Sequence, residues 1–326
     1  MSPFFIWDGR VKMDKSKIAI LDSGCNILQI EKYNVARLKN FVSSDELCLD
    51  DNGHGTAIFE ILSRLQPEAE YTIIKVLDEK AESRISVIIQ ALEYLLTLSI
   101  DYACMSFSTK LDYANKEMYA LCQQLQKQGK VLVASKANSG ETSYPAEFDN
   151  VIGVEGIVCD SPHQIFYMPG RSIQVIADVL PIVVPTKDGM QYVMFGGNSK
   201  AAAQVCGELA GASCELEKFL QINRCSKIWT DEEIQKKKIY TVKNYAKQHY
   251  TDELFKHICN ALEGYEKGLS EKENLHPFFS ASDYYNILLQ IEKEADILIN
   301  YIDMQYKDFD TAESLYEKLH SLKTQL

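Results

Sequence analysis

Four polar residues far apart in the chain could together carry out acyl transfer: Asp22, His54, Asn138 and Ser199. Ser199 stands in Gly196-Gly197-Asn198-Ser199-Lys200-Ala201-Ala202-Ala203, with glycines before it and small, helix-favouring residues after it. The pattern predicts a tight turn feeding a helix, with the serine hydroxyl at the junction. Free N–H groups and the helix dipole favour negative charge there, so a nucleophile whose product is an oxyanion gains from the place. Serine is also a common helix cap, and this stretch alone leaves both roles open. His54 lies in Asp50-Asp51-Asn52-Gly53-His54-Gly55-Thr56, bracketed by glycines, one of six histidines in the chain. Asp22 ends the apolar run Lys17-Ile18-Ala19-Ile20-Leu21, just ahead of Ser23-Gly24. A plain turn residue is the other reading of it. Asn138 follows the apolar run Lys130 to Ala134, and its amide N–H groups can donate to a developing oxyanion. A simple Asn/Gly turn is the alternative.

As a set, the four supply the roles acyl transfer needs. The Ser199 hydroxyl attacks a carbonyl. His54 takes its proton and passes it to the leaving amine. Asp22 fixes the imidazole tautomer and stabilises the imidazolium. Asn138, with the Ser199 N–H, binds the oxyanion.

The elements between them must bring these residues together. Lys17 to Leu21 reads as a buried parallel strand with Asp22 at its tip, where open α/β sheets gather their sites. Ile58, Ile61, Leu62 and Leu65 give a helix starting at His54. Tyr71 to Leu77 reads as a strand, Ser83 to Leu98 as a helix and Asp101 to Phe107 as a strand. Lys116 to Gln128 reads as a helix and Lys130 to Ala134 as a strand. Asn150 to Val154 is a further short strand, and Ile173 to Val193 is β-rich. This alternation predicts an α/β fold, a doubly wound, mostly parallel sheet with right-handed crossovers.

Bulk properties narrow the function classes. The 326 residues carry 46 acidic and 34 basic side chains, a net charge of −12. That balance argues against nucleic acid as a partner, which needs a concentrated basic surface. Nine cysteines, an odd number with no CxxC pair, predict neither a disulfide framework nor a zinc site. Free thiols fit a reducing cytoplasm. The start Met1-Ser2-Pro3-Phe4-Phe5-Ile6-Trp7-Asp8 lacks the pattern of a signal peptide. No apolar run is long enough to span a bilayer, so no membrane is expected as a partner. The chemistry calls for no metal and no cofactor.

The order Asp, His, Ser is that of subtilisin, and the local motifs resemble the subtilisin family (subtilases) throughout. Ile20-Leu21-Asp22-Ser23-Gly24-Cys25 is similar to the family's aspartate box, and Asn52-Gly53-His54-Gly55-Thr56 to its histidine box. Ala137-Asn138-Ser139-Gly140, then Tyr144-Pro145-Ala146 and Val151-Ile152-Gly153-Val154, resembles the oxyanion-asparagine region. Gly197-Asn198-Ser199-Lys200-Ala201 with Gln204-Val205-Cys206-Gly207 resembles the serine box, and Trp229-Thr230 with Ile234 a late helix start. The resemblance covers roughly residues 15 to 240 and implies a serine endopeptidase. It implies that Met105-Ser106-Phe107-Ser108 is an edge strand pairing with substrate as an added strand. It also implies that Ser135, Lys136 and Ala137, facing Ser143, border the pocket for the residue before the cut. Where the family has Thr and Met beside the serine, this chain has Asn198 and Lys200; Ala203-Gln204 replaces Pro-His, and Ser108 and Ala137 replace glycines. Only 21 residues precede Asp22, so no inhibitory pro-domain is expected before it. These departures imply a compact intracellular enzyme of narrow specificity, and they direct attention to Asn198 and Lys200. A catalytically weak or inactive scaffold that binds and presents a peptide is the alternative.

Beyond about residue 240 the alternation stops. Thr230-Asp231-Glu232-Glu233 is a capping box just before that point. Leu254, Ile258 and Leu262 share a face, as do Tyr284, Ile287, Leu288 and Ile291. Asp310-Thr311-Ala312-Glu313 caps a last helix carrying Leu315, Leu319 and Leu322. A small helical bundle over residues 241–326 is expected to follow the peptidase domain at 1–240. Ile291-Glu292-Lys293-Glu294 and Asp308-Phe309-Asp310-Thr311-Ala312-Glu313-Ser314-Leu315 resemble an acyl-carrier-protein-like domain. The carrier's serine position falls on Ala281, between Ser280 and Ser282, which read as helix-cap residues. The resemblance then implies a docking module without a prosthetic arm. Carrier-related proteins and subtilases occur together in bacterial maturation of ribosomally made peptides. The expected substrate is a precursor or unfolded peptide segment, cleaved in the cytoplasm, with peptide-modifying enzymes as partners of the helical domain.

Overall fold

A computed structural model describes residues 15–44, 46–109, 112–138, 142–242 and 250–323. Met1 to Asp8 and the Ser139-Gly140 part of the asparagine turn lie outside the described residues. The elements are, in order, β1 (Lys17–Asp22), α1 (Ile27–Lys32), β2 (Val35–Asn40), α2 (His54–Leu65), β3 (Glu70–Lys75), α3 (Ile85–Leu96) and β4 (Tyr102–Met105). There follow α4 (Asp112–Lys127), β5 (Val131–Ser135), β6 (Ile152–Ile157), β7 (Ile165–Tyr167), β8 (Val175–Asp178), β9 (Ile182–Pro185) and β10 (Tyr192–Phe195). Among the described residues these are followed by α5 (Asn198–Gly211), α6 (Leu216–Ile222), α7 (Asp231–Lys237), α8 (Glu253–Tyr265), α9 (Asp283–Ala295) and α10 (Ala312–Lys323), with short 3₁₀ turns among the last.

Eight strands form one sheet in the order β2-β3-β1-β4-β5-β6-β8-β7. Every pairing is parallel except β7 with β8. In β1 the side chains alternate between two apolar layers. Ile18 and Ile20 join α2 and α5 on one face; Ala19 and Leu21 join α3 and α4 on the other. A strand buried on both faces reads as a continuous apolar run, which is why this one was legible. The chain winds to one side of β1 first and then to the other. The order therefore reverses at β1, and the strand tips there open a crevice.

The two halves of the crevice approach closely at glycines. A Cβ on Gly55, in the first turn of α2, would stand 2.2 Å from the Gly24 carbonyl oxygen. Only glycine lets the histidine helix begin this near the tip of β1. Gly197, at φ +89°, turns the chain into α5 in a conformation that other residues rarely adopt.

Sequence periodicity does not mark α1, β2, β7 and α6. In α1 the buried residue is Gln29, while Ile27 and Leu28 are exposed, so the apolar pattern points the wrong way. The Thr230 capping box forms as expected: its hydroxyl accepts from the Glu233 N–H and the Glu233 carboxylate accepts from the Thr230 N–H. In the last helices Leu254, Ile258, Leu262, Ile287, Leu288, Ile291, Leu315 and Leu319 pack into one cluster. Thr311 and Ser314 cap α10 reciprocally, each side chain accepting from the other's N–H. Ser282 does stand at the N-cap of α9, but its side chain makes no cap bond; the Asp283 carboxylate takes the Ser280 N–H instead, at 2.6 Å. A carboxylate is the stronger acceptor.

Candidate active site

Asp22 and His54 meet at the tip of β1. His54 Nδ1 stands 2.7 Å from Asp22 Oδ1. The same oxygen accepts from the Ser23 N–H at 2.8 Å, and the carboxylate is buried. Its other oxygen, Oδ2, is buried without a hydrogen-bond partner among the described residues, so Oδ1 alone takes the imidazole, the Ser23 N–H and, at 3.3 Å, the Ser23 hydroxyl. Burial opposes charging of His54; the Asp22 carboxylate overrides it, Asp50 adds to the pull, and the imidazole is held above its ordinary range.

Asp50, four residues before His54, is a further functional residue beyond the expected four. It organises the turn behind His54. Its carboxylate accepts from the N–H groups of Asn52, Gly53 and Thr56 at 2.8–2.9 Å and from the Ser23 hydroxyl at 2.8 Å. Ser23 Oγ in turn accepts from the Gly55 N–H. Burial opposes ionisation of Asp50, but these donors more than offset it and keep the carboxyl below its ordinary range. A signal for this was present: an acid four residues before the histidine, at a helix start.

Ser199 lies in the first turn of α5, where backbone N–H groups lack helical partners. Asn138 reaches it from the tip of β5. A Cβ on Gly197 would lie 3.6 Å from Asn138 Oδ1, and that oxygen accepts from the Asn198 N–H at 3.4 Å. With Oδ1 taken, the NH₂ end of the amide is the one available to a ligand. His54, Asn138 and Ser199 line one cleft of about 470 Å³. No hydrogen bond joins Ser199 to His54 among the described residues, and such contacts commonly tighten only around substrate.

Ser106, Phe107, Ser108, Ser135, Lys136 and Ala137 all line this cleft. Ser143 does not. It is fully buried behind the wall, where its hydroxyl accepts from the Ala137 N–H at 2.8 Å. The expected edge strand takes a different form. β4 is interior, flanked by β1 and β5, and Ser106 to Ser108 leave the sheet beyond its last paired residue, Met105. Beyond β5 the Lys136 N–H still bonds the Val154 carbonyl at 2.8 Å, and Asn198 Nδ2 donates to the Lys136 and Ala137 carbonyls at 3.0 and 3.5 Å. Ser106 to Ser108 and Ser135 to Ala137 both border the cleft. Its opposite wall includes Ala81, Glu82 and Ser83, which the sequence reading did not single out.

Asn198 and Lys200 do not line the cleft. Asn198 is buried, and its Oδ1 also accepts from the Gly156 N–H at 2.8 Å. Lys200 is buried too; its ammonium donates to Asp178 Oδ2 at 2.7 Å, the Asp178 carbonyl at 3.1 Å and Gln204 Oε1 at 3.0 Å. Burial pulls the Lys200 pKa down despite that partner. Gln204 donates onward to the Pro162 carbonyl. The unusual residues around Ser199 thus make two buried polar sets, one of Asn198 with Lys136, Ala137 and Gly156 and one of Lys200 with Asp178 and Gln204.

The nine cysteines are free thiols. Burial pushes Cys25, Cys122 and Cys159 up to about 12, so they stay protonated and poor as nucleophiles. Among the described residues no helix is long and apolar enough to cross a membrane, and no group of three His, Cys, Asp or Glu side chains is arranged to hold a metal.

The sequence pattern of the subtilase family, Peptidase S8, matches residues 14–257, and the chain belongs to that family. It is 27% identical over 215 residues to the intracellular serine protease of Paenibacillus polymyxa, covering 60% of this chain and 65% of that one. It is 28% identical over 227 residues to the major intracellular serine protease of Bacillus subtilis (strain 168), covering 63% and 70%. The fold is similar to that in the crystal structure of a cold adapted subtilisin-like serine proteinase, with TM-score 0.50, 20% identity, and 64% and 76% of the two chains covered. The chain thus spans just under two thirds of the length of the Paenibacillus relative.

Proposed function

We propose that this protein is a serine endopeptidase that removes the leader from a ribosomally made, modified precursor peptide in the cytoplasm. The observation that carries the hydrolytic reading is the 2.7 Å contact between His54 Nδ1 and Asp22, on a histidine that shares a cleft with Ser199 and Asn138. Asp22 binds Nδ1, which leaves Nε2 as the basic nitrogen. Nε2 takes the Ser199 proton as Oγ attacks the scissile carbonyl. Asn138 Nδ2 and the Ser199 N–H receive the oxyanion. The imidazolium, held by Asp22, returns its proton to the leaving amine, and water then cleaves the acyl-enzyme by the same steps in reverse.

The substrate lies along Ser106 to Ser108 as an added strand, with Ser135, Lys136 and Ala137 bordering the side chain before the cut. Relatives named intracellular, together with nine free thiols, support a cytoplasmic site of action. Residues 1–240 act as the peptidase unit. Residues 241–326 act as an acyl-carrier-like module that docks peptide-modifying enzymes and bears no arm. In support, Ala281 holds the carrier's serine position, and its carbonyl is taken by the Met194 N–H at 2.9 Å.

Labelling by a fluorophosphonate, abolished in Ser199→Ala, tests the nucleophile; labelling that survives the substitution sinks it. Incubation with the precursor encoded beside the gene, followed by mass mapping, tests the substrate. An intact precursor after incubation with labelling-competent protein removes the leader role and leaves the peptidase reading standing. Treatment with coenzyme A and a phosphopantetheinyl transferase is expected to add no mass.

A further inference from the structure

We propose that Phe195 is a positioning residue for His54, and that the C-terminal helices hold it in place through the β9–β10 hairpin. The proposal deepens the reading of His54 as the general base and rests on it.

The hairpin stands apart from the eight-stranded sheet, pairing Met194 with Val183 and Phe195 with Ile182. Side chains alternate across a strand, so successive residues face opposite ways. On one face Met194 and Val183 are buried in the apolar cluster of α8, α9 and α10. Tyr192, on the Met194 side, packs its ring on Tyr285 and Tyr301 at 5.7 and 5.2 Å. On the other face Phe195 and Ile182 pack against the core under the catalytic crevice. The Phe195 ring lies 5.3 Å from the His54 ring at 77°, an edge-on contact.

Backbone bonds fix both strands of the hairpin to the segments between the C-terminal helices. The Met194 N–H donates to the Ala281 carbonyl at 2.9 Å, and Ile182 bridges to Gln305. The histidine helix holds the hairpin too. Arg64, ten residues after His54 on α2, donates to the Val183 carbonyl at 2.7 Å while its Nε pairs with Glu60. The hairpin is thus gripped by α2 on one side and by the C-terminal helices on the other, and it runs directly into the Gly196-Gly197 turn before Ser199.

Asp22 fixes the imidazole at Nδ1 alone. A ring held at one atom can still swing about that contact. Phe195 supplies the second constraint, against the ring, and keeps water from the Asp22–His54 bond. Misplacement by about 1 Å can cost about 10²-fold in rate, so a loosened hairpin is felt at the reacting atoms.

The test uses the full chain with ¹⁵N-labelled histidine. The Nδ1 proton of the Asp22–His54 bond is observed by NMR and assigned by its loss in His54→Gln; fluorophosphonate labelling rates are measured in parallel. Phe195→Ala is expected to lose that resonance to water exchange and to slow labelling by about 10²-fold, and Phe195→Tyr to restore both. Met194→Ala, facing away from His54, is expected to broaden the resonance and slow labelling less. A resonance and rate unchanged in Phe195→Ala overturn the positioning role. If that variant does not fold by circular dichroism, Phe195→Leu carries the test, and a wild-type resonance and rate there overturn it equally. A wild-type resonance in Met194→Ala overturns the part assigned to the C-terminal helices. If the unsubstituted protein shows the resonance but no labelling, the peptidase reading fails while the positioning of His54 is still decided by the resonance.

Discussion

The two halves of the site are built in different ways. Around His54 the hydrogen bonds are local or run between the Asp22 and Asp50 loops, with the Phe195 ring as the distant contact. Asp50 takes three N–H groups within six residues of itself, and Ser23 sits beside Asp22. Around Ser199 the contacts reach far along the chain: Asn198 to Lys136 and Gly156, Lys200 to Asp178, Gln204 to Pro162. The histidine half rests mainly on a turn whose N–H groups converge on Asp50. The serine half is held by buried polar pairs that exist only once the sheet is complete. A buried ion pair is also a liability, because either partner alone is an uncompensated charge. Substitutions in the first half should therefore act on rate, and those in the second on stability as well.

Four outcomes would break or sharpen that contrast. Removal of the nucleophile, Ser199→Ala, is expected to lower kcat by about 10⁶-fold with folding intact; residual turnover within tenfold of the parent protein would end the assignment. Asp22→Asn is expected to lower kcat by about 10⁴-fold with little change in KM, since the imidazole loses its tautomer and its counter-charge. A loss mainly in KM would mean Asp22 acts on binding instead.

Next in size are effects on the fold. Lys200→Met leaves Asp178 buried and unpaired, and should cost about 3–5 kcal/mol in urea unfolding, largely recovered by adding Asp178→Asn. Equal stability of the single and double variants would show that the pair is not coupled. The smallest effect concerns pH. His54 must be neutral to accept the serine proton, so kcat/KM rises with pH along an acid limb. The raised imidazole pKa puts its midpoint above the ordinary histidine value of 6.5. The Asp22–His54 attraction stabilises the fold fully below that ordinary value and fades as pH rises through the raised one. A midpoint at or below 6.5 would show that Asp22 does not hold the imidazolium.

Much of the sheet was legible because its strands are buried on both faces, and Ile18 to Leu21 or Val131 to Ala134 leave no other reading. α1 was not, since a six-residue helix that buries Gln29 has no apolar face to detect. Met105 proves to be the last paired residue of an interior strand, and the sequence does not show this because pairing depends on where the neighbouring chains run. Ser106 is buried and its hydroxyl lies 3.5 Å from that of Ser135, while Ser108 is exposed on the cleft. Asn198 and Lys200 drew attention as flanks of the nucleophile, and their work lies beneath it.

The sequence by itself determined the strand tips, the glycine turns and the four polar residues in order, because each depends on neighbours a few positions away. The tertiary structure alone decided what holds them to one another. Helix-start and turn geometry are set by local dihedrals and caps, which sequence spacing records. The Lys200–Asp178 pair and the contact of Phe195 with His54 depend on which faces of distant elements meet, and that is settled only when both are packed.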